Sequence, residues 1–186
     1  MHFPPLRLWI LLLLLPLAGS CSTPAHRDFS DTLRLFEELR LEYEVPYSRM
    51  GFQGSPLFAF ARGKAQIMID ESFSENLSEP ALRYVFVHEL VHLKHNDPTR
   101  GYDLLKKIHQ AQARDTELMD NAFMTLLGTY GEEPEFREFL DEAESRANET
   151  AAQHLIARGE DPCKAISEIE KYTGARFRFG MENLCS

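Results

Sequence analysis

The chain has 186 residues, 44% of them hydrophobic, and a net charge of −9. That is enough for one domain with a real core, and too acidic, without any basic cluster, for phosphate-backbone recognition. No repeat or low-complexity segment is present.

The N-terminus reads MHFPPLRLWILLLLLPLAGSCS. Arg7 precedes an apolar run from Leu8 to Leu17 that is too short to span a bilayer comfortably, and small residues follow. This reads as an export signal over residues 1–20. Gly19-Ser20-Cys21 resembles a bacterial lipobox, which would make Cys21 the lipidated first residue. Residues 21–28 would then be a polar tether, and Ser22 resembles outer-membrane sorting if the cell is Gram-negative. Ala18-Gly19-Ser20 also suits ordinary signal peptidase, which would leave a soluble periplasmic protein. The chain has 3 cysteines. Lipidation of Cys21 leaves Cys163 and Cys185 as an even pair, free to join in an oxidising envelope.

Residues 29–186 read as a single domain. Phe29, Leu33, Phe36, Leu39 and Tyr43 have helical spacing, with Ser30 or Asp31 as cap and Pro46 as the stop. Tyr47–Pro56 is punctuated by Gly and Pro and reads as a loop. Leu57–Ala61 and Ala65–Ile69 read as strands of a hairpin turning at Gly63. ESFSENLSEP reads as a loop or short turn. Ser78 caps the next helix, with Pro80 in its first turn, and Asn96-Asp97-Pro98 stops it. Thr99–Leu127 holds one or two helices, and GTYGEEP breaks the pattern. Glu133–Arg158 is a long helix closed by Gly159, and a last helix runs from Asp161-Pro162 to Gly174.

The chemistry lies in RYVFVHELVHLKHND, residues 83–97. Helix positions i and i+4 share a face, so His88 and His92 aim two imidazoles at one point. Glu89, beside the first, can reach a water there. Zinc hydrolysis needs that set: neutral nitrogen ligands and a base. The flanks Val85, Phe86, Val87, Leu90, Val91 and Leu93 are apolar, so ionisable groups among them need a metal or a partner. The alternative is two core histidines satisfied by hydrogen bonds. With only 7 histidines in the chain, a chance match to the whole array is rare.

A catalytic zinc takes three protein ligands. His95 is close in sequence but stands a turn beyond a common metal. Glu144 in ESRANETAAQHL is the better third ligand. Asn148, one turn on, can hydrogen-bond a ligating histidine and fix its tautomer. Glu142 and Glu149 read as solvated background.

These motifs resemble peptidase family M48, the gluzincin peptidases that include the heat-shock membrane protease, the CAAX prenyl protease and periplasmic quality-control proteases. The residues from AFARGKAQIMID through the HEXXH helix are similar to the family's strand–turn–strand, loop and metal helix. ESRAN resembles its Glu-x-x-Ala-Asp motif, and ARGEDPCKAI its Gly-x-Asp-Pro helix start. The resemblance implies an α+β, mostly helical zincin-like fold with a small sheet packed by the HEXXH helix. It also implies one Zn2+ per chain on His88, His92 and Glu144, Glu89 as general base and acid, and peptide-bond hydrolysis with the substrate strand adding beside Ala65–Ile69. Asn148 departs from the family's usual Asp. The family's later His-Pro and Arg segment is not evident in ARFRFGMENLCS, which leaves Tyr130, His154, Tyr172 and Arg176 as candidates for stabilising the oxyanion. The immunity-repressor-cleaving gluzincins share Glu-x-x-Ala-Asn, but their motifs lie closer together and they are cytosolic.

The expected function is a zinc endopeptidase of the cell envelope, exported and held to the membrane only through its lipid. Its expected partners are misfolded or misassembled envelope proteins, with no nucleic acid. A zinc-binding lipoprotein acting as a chaperone or assembly factor is the alternative.

Overall fold

The computed structural model describes residues 28–52, 59–112, 122–174 and 185. Helix α1 spans Phe29–Glu42. Its cap is Asp28, whose carboxylate accepts from the Ser30 backbone N–H, rather than the expected Ser30 or Asp31. Both residues instead lie in the first turn, where Asp31 complements the helix dipole.

Three short strands follow. β1 is Arg49–Phe52, β2 is Ala59–Arg62 and β3 is Gln66–Ile69, in the sheet order β1-β3-β2. β2 and β3 form the expected antiparallel hairpin, and Gly63 takes a positive φ of 58° in the turn. β1 corrects the reading of Tyr47–Pro56 as a loop at residues 49–52, and residues 53–56 lie outside the described residues. It pairs with β3 in parallel, Arg49 with Gln66 through Phe52 with Ile69. RMGF has no alternating pattern of its own, and its strand state comes from a partner 17 positions away. β3 is therefore the central strand, paired on both sides, and the expectation that a substrate strand adds beside it is corrected.

ESFSEN also departs from expectation. It forms helix α2, Glu71–Asn76, because Asp70 accepts from the Phe73 N–H and Phe73 buries itself in the core. Helix α3, Glu79–Lys94, starts as expected: Ser78 is the N-cap, and its hydroxyl accepts from the Ala81 N–H. Glu168 adds a second clamp, taking hydrogen bonds from the Ser78 N–H and hydroxyl, each at 2.6 Å. α3 is apolar nearly all round and buried on every side from Ala81 to Val87. It is the central element, packed by α6, α7, α1, α4 and β2.

α4 spans Asp97–Gln112, α5 Ala122–Tyr130, α6 Pro134–Ala157 and α7 Pro162–Thr173. Asn96-Asp97-Pro98 ends α3 but also starts α4. Asn96 makes the corner with a positive φ of 57°, which Asn tolerates, and Pro98 fits a first helical turn. The expected α6 and α7 are present. Gly159 and Gly174 close them at φ 74° and 69°. Pro162 lies in the first turn of α7, where Asp161 caps the Cys163 and Lys164 N–H groups.

One core surrounds α3, with Phe36, Leu39, Ile67, Ile69, Phe86, Leu90 and Leu155 fully enclosed. Truncating a side chain such as Phe86 to alanine there costs about 3–5 kcal/mol. A smaller core of Leu105, Ile108, Leu126 and Phe136 joins α4, α5 and α6. The architecture is α+β and mostly helical. Among the described residues, no helix is long and apolar enough to cross a membrane.

Candidate metal centre

The two histidines of α3 and one carboxylate of α6 meet at a point. His88 Nε2 and His92 Nε2 are 3.1 Å apart. Glu144 Oε2 lies 3.3 Å from the first and Oε1 lies 3.5 Å from the second. Among the described residues these three are the one group of His, Cys, Asp and Glu able to hold a metal ion, with one ligand atom from each lying within 4.8 Å of the others. Glu142 and Glu149 are exposed, as expected.

The opposite edge of each imidazole is committed. Asn148 Oδ1 lies 2.9 Å from His88 Nδ1 and also accepts the Tyr84 hydroxyl at 2.8 Å. Asp97 Oδ2 lies 3.0 Å from His92 Nδ1. Both partners are acceptors, so each ring carries its proton on Nδ1 and turns the Nε2 lone pair inward. Two lone-pair nitrogens and a carboxylate then face one another, which a cation resolves. Tetrahedral zinc with bonds of about 2.0–2.1 Å sets its nitrogen ligands roughly 3.3–3.4 Å apart, close to the 3.1 Å between the two Nε2 atoms, and Glu144 presents one oxygen to each of them. The donor set fits a metal.

Electrostatics agree with the geometry. Without a metal, a proton serves as that cation: burial lowers the His88 pKa but Glu144 and Glu89 outweigh it and raise it, and His88 in turn holds the Glu144 carboxyl below its usual range against burial. Asp97 is only 5% exposed, and burial works against its charge too. Hydrogen bonds from His92 and Arg146 win, and its pKa is lowered. Burial raises the Tyr84 phenol, so it stays a neutral donor to Asn148.

Glu89 lies on the same helix, 7% exposed. Burial raises its pKa against the lowering pull of His88, His92 and the nearby Ala61 backbone. A buried carboxylate of raised affinity for protons, beside the metal point, is suited to taking and returning one.

Asp97 and Tyr84 are the site residues that sequence reading missed. Tyr84 had a signal, since it lies one turn before His88 on the same face. Asp97 had a weaker one, because only the Asn96 corner folds the start of α4 back behind His92. His95 is the C-cap of α3 and stands outside the ligand group, as expected.

The remaining candidates are not brought to the site. Tyr130 pairs through its hydroxyl with His109 Nδ1 at 3.0 Å, at the small core. His154 is buried against Glu42 and Tyr43. Tyr172 meets Ser72 and Phe73. Arg176 and Cys21 lie outside the described residues. Cys163 and Cys185 form a disulfide with Cα atoms 5.4 Å apart.

A helix-borne histidine pair, an adjoining buried glutamate and a carboxylate from a second helix define the class of HEXXH metal-dependent hydrolases. Residues 29–169 match the model of peptidase family M48, and the chain belongs to that family of metal-dependent peptidases. No curated protein and no solved structure matches it.

Proposed function

We propose that the chain is a zinc endopeptidase of the bacterial cell envelope, acting on unfolded or misassembled proteins. The observation that carries this reading is the convergence of His88 Nε2, His92 Nε2 and Glu144 beside the buried Glu89. His88, His92 and Glu144 would hold one Zn2+, which when bound supplies a Lewis acid for the scissile carbonyl and lowers the pKa of water.

Glu89 accepts the proton of the attacking water on its carboxylate and delivers it to the leaving amine. Asn148 and Asp97 hold the imidazoles in the tautomer that leaves Nε2 free. The substrate backbone adds along β2, not β3. β3 already has strands on both sides, whereas β2 is an edge of the described sheet and packs against α3, the helix that carries Glu89. Ala59 and Ala61 pair with Ile69 and Ile67, whose side chains are buried, so small residues stand on the inner face of that edge. Edge pairing reads backbone rather than side chains, which suits unfolded substrates. Export with a lipid on Cys21 is supported by the apolar N-terminal run and by the Cys163–Cys185 disulfide, which fits an oxidising compartment.

The test is unfolded casein offered to zinc-loaded protein and to Glu89→Gln. The wild type cleaves internal bonds, and the variant keeps its zinc but loses at least about 100-fold in rate. Equal rates would remove Glu89 from the mechanism. A zinc-loaded wild type that never cleaves, yet suppresses aggregation of the same substrate, would favour the chaperone reading.

A further inference from the structure

Resting on the metal reading of this site, we propose that Arg146 is a positioning residue: it fixes His92 through Asp97 and keeps α6 in register with the end of α3. One turn of α6 acts on both edges of the His92 ring, Glu144 directly and Arg146 through Asp97. On its Nε2 side stands Glu144, at 3.5 Å. On its Nδ1 side stands Asp97, whose Oδ2 also takes the Arg146 guanidinium at 2.6 Å. One carboxylate oxygen is thus shared between an imidazole and a guanidinium.

Residues two apart on a helix point in different directions. Glu144 and Arg146 nevertheless act on opposite edges of the same ring, because the long arginine reaches round to the corner made by Asn96. Any slide of α6 along α3 would displace both edges together.

Arg146 is also the main counter-charge of Asp97. The carboxylate is 5% exposed, and a charge at that depth needs a partner. Arg100 is the other cation within reach, but it stands at 3.3 Å with its side chain 53% exposed, against 2.6 Å and 30% for Arg146. The Arg146 Nε is buried without a hydrogen-bond partner. The guanidinium is therefore oriented toward Asp97 at the expense of its own solvation. A salt bridge serving only the fold would support stability and leave the metal indifferent. A positioning role makes metal affinity depend on Arg146, and only by way of Asp97.

The experiment uses the full chain purified in detergent, with Zn2+ and Co2+ as probes. Zinc affinity is read by competition with a chromogenic chelator, and ligand geometry by the visible spectrum of bound cobalt. The variants are Arg146→Met, Arg146→Lys, Asp97→Asn and Arg146→Met with Asp97→Asn. Arg146→Met and Asp97→Asn should each weaken zinc about 10- to 100-fold and alter the cobalt bands. The double variant should be no more than about threefold weaker than the worse single. Arg146→Lys, which keeps the charge without the planar fork, should recover most of the affinity lost in Arg146→Met. Zinc affinity of Arg146→Met within about threefold of wild type, or losses that multiply in the double variant, would overturn the proposal. Should Arg146→Met not fold, Arg146→Lys alone and with Asp97→Asn carries the same comparison: sub-additive losses sustain the role, while additive or absent losses end it. Failure of the wild type itself to bind zinc would strike the metal reading beneath the proposal, and is told apart by that control.

Discussion

Replacing Asn148 with leucine removes the oxygen that two donors share, the buried Tyr84 hydroxyl and the half-buried His88 ring. Asn148 is 3% exposed, and its Oδ1 takes the Tyr84 hydroxyl at 2.8 Å and faces His88 Nδ1 at 2.9 Å. Leucine is of similar size, so packing changes little and the loss is one of hydrogen bonding. Each stranded donor costs about 1–3 kcal/mol, which gives about 2–6 kcal/mol for the metal-free protein, with local relaxation favouring the lower half. The same change frees the His88 ring to turn, and zinc affinity should fall by about 10- to 100-fold. Asn148→Asp keeps an acceptor at the same place and should hold affinity within several-fold. Denaturant unfolding of metal-free protein measures the first effect, and chelator competition the second. A leucine variant with wild-type stability and wild-type affinity would refute the view that Asn148 orients the ligand.

Two other expectations concern regions away from the metal point. His154 is 8% exposed, and burial, helped by Arg83 and Arg158, holds its pKa below the ordinary 6.5 against the pull of Glu42. The unfolded chain therefore binds a proton that the folded one resists, so this stabilisation is present above pH 6.5 and is lost as pH falls through the lower folded value. His154→Gln should unfold with a shallower loss of stability below pH 6.5 than wild type, and identical slopes would count against it. The Cys163–Cys185 bridge closes a sequence separation of 22, worth about 3 kcal/mol of unfolded-chain entropy, so reduction should lower the denaturation midpoint. An unchanged midpoint after verified reduction would show that the bridge adds no stability.

Legibility followed locality. α3, α6 and α7 were readable because their ends are written in nearby residues: Ser78 and Pro80, Gly159, Asp161-Pro162 and Gly174. The histidine pair was readable for the same reason, since helix geometry alone puts i and i+4 on one face. Glu144 needed two distant segments to meet, and only its family motif drew attention to it. β1 was not readable, because RMGF becomes a strand only against β3. The place of β3 in the middle of the sheet was hidden for the same reason, and with it the edge beside Glu89. α2 was missed because six residues carry little periodicity and a single cap at Asp70 decides the outcome. Asp97 was hidden by the Asn96 corner, where one positive φ converts a helix stop into a support for His92.

The central claim is that α3 and α6 together hold one metal ion. Elemental mass spectrometry of the purified protein, beside Glu144→Ala, tests it most directly. The expected result is about one zinc per wild-type chain after dialysis, with most of it lost from the variant, because a structural or catalytic zinc takes at least three protein ligands. A well-folded wild type that retains no zinc, even after zinc is offered, would contradict the claim and make His88 and His92 hydrogen-bonded core residues.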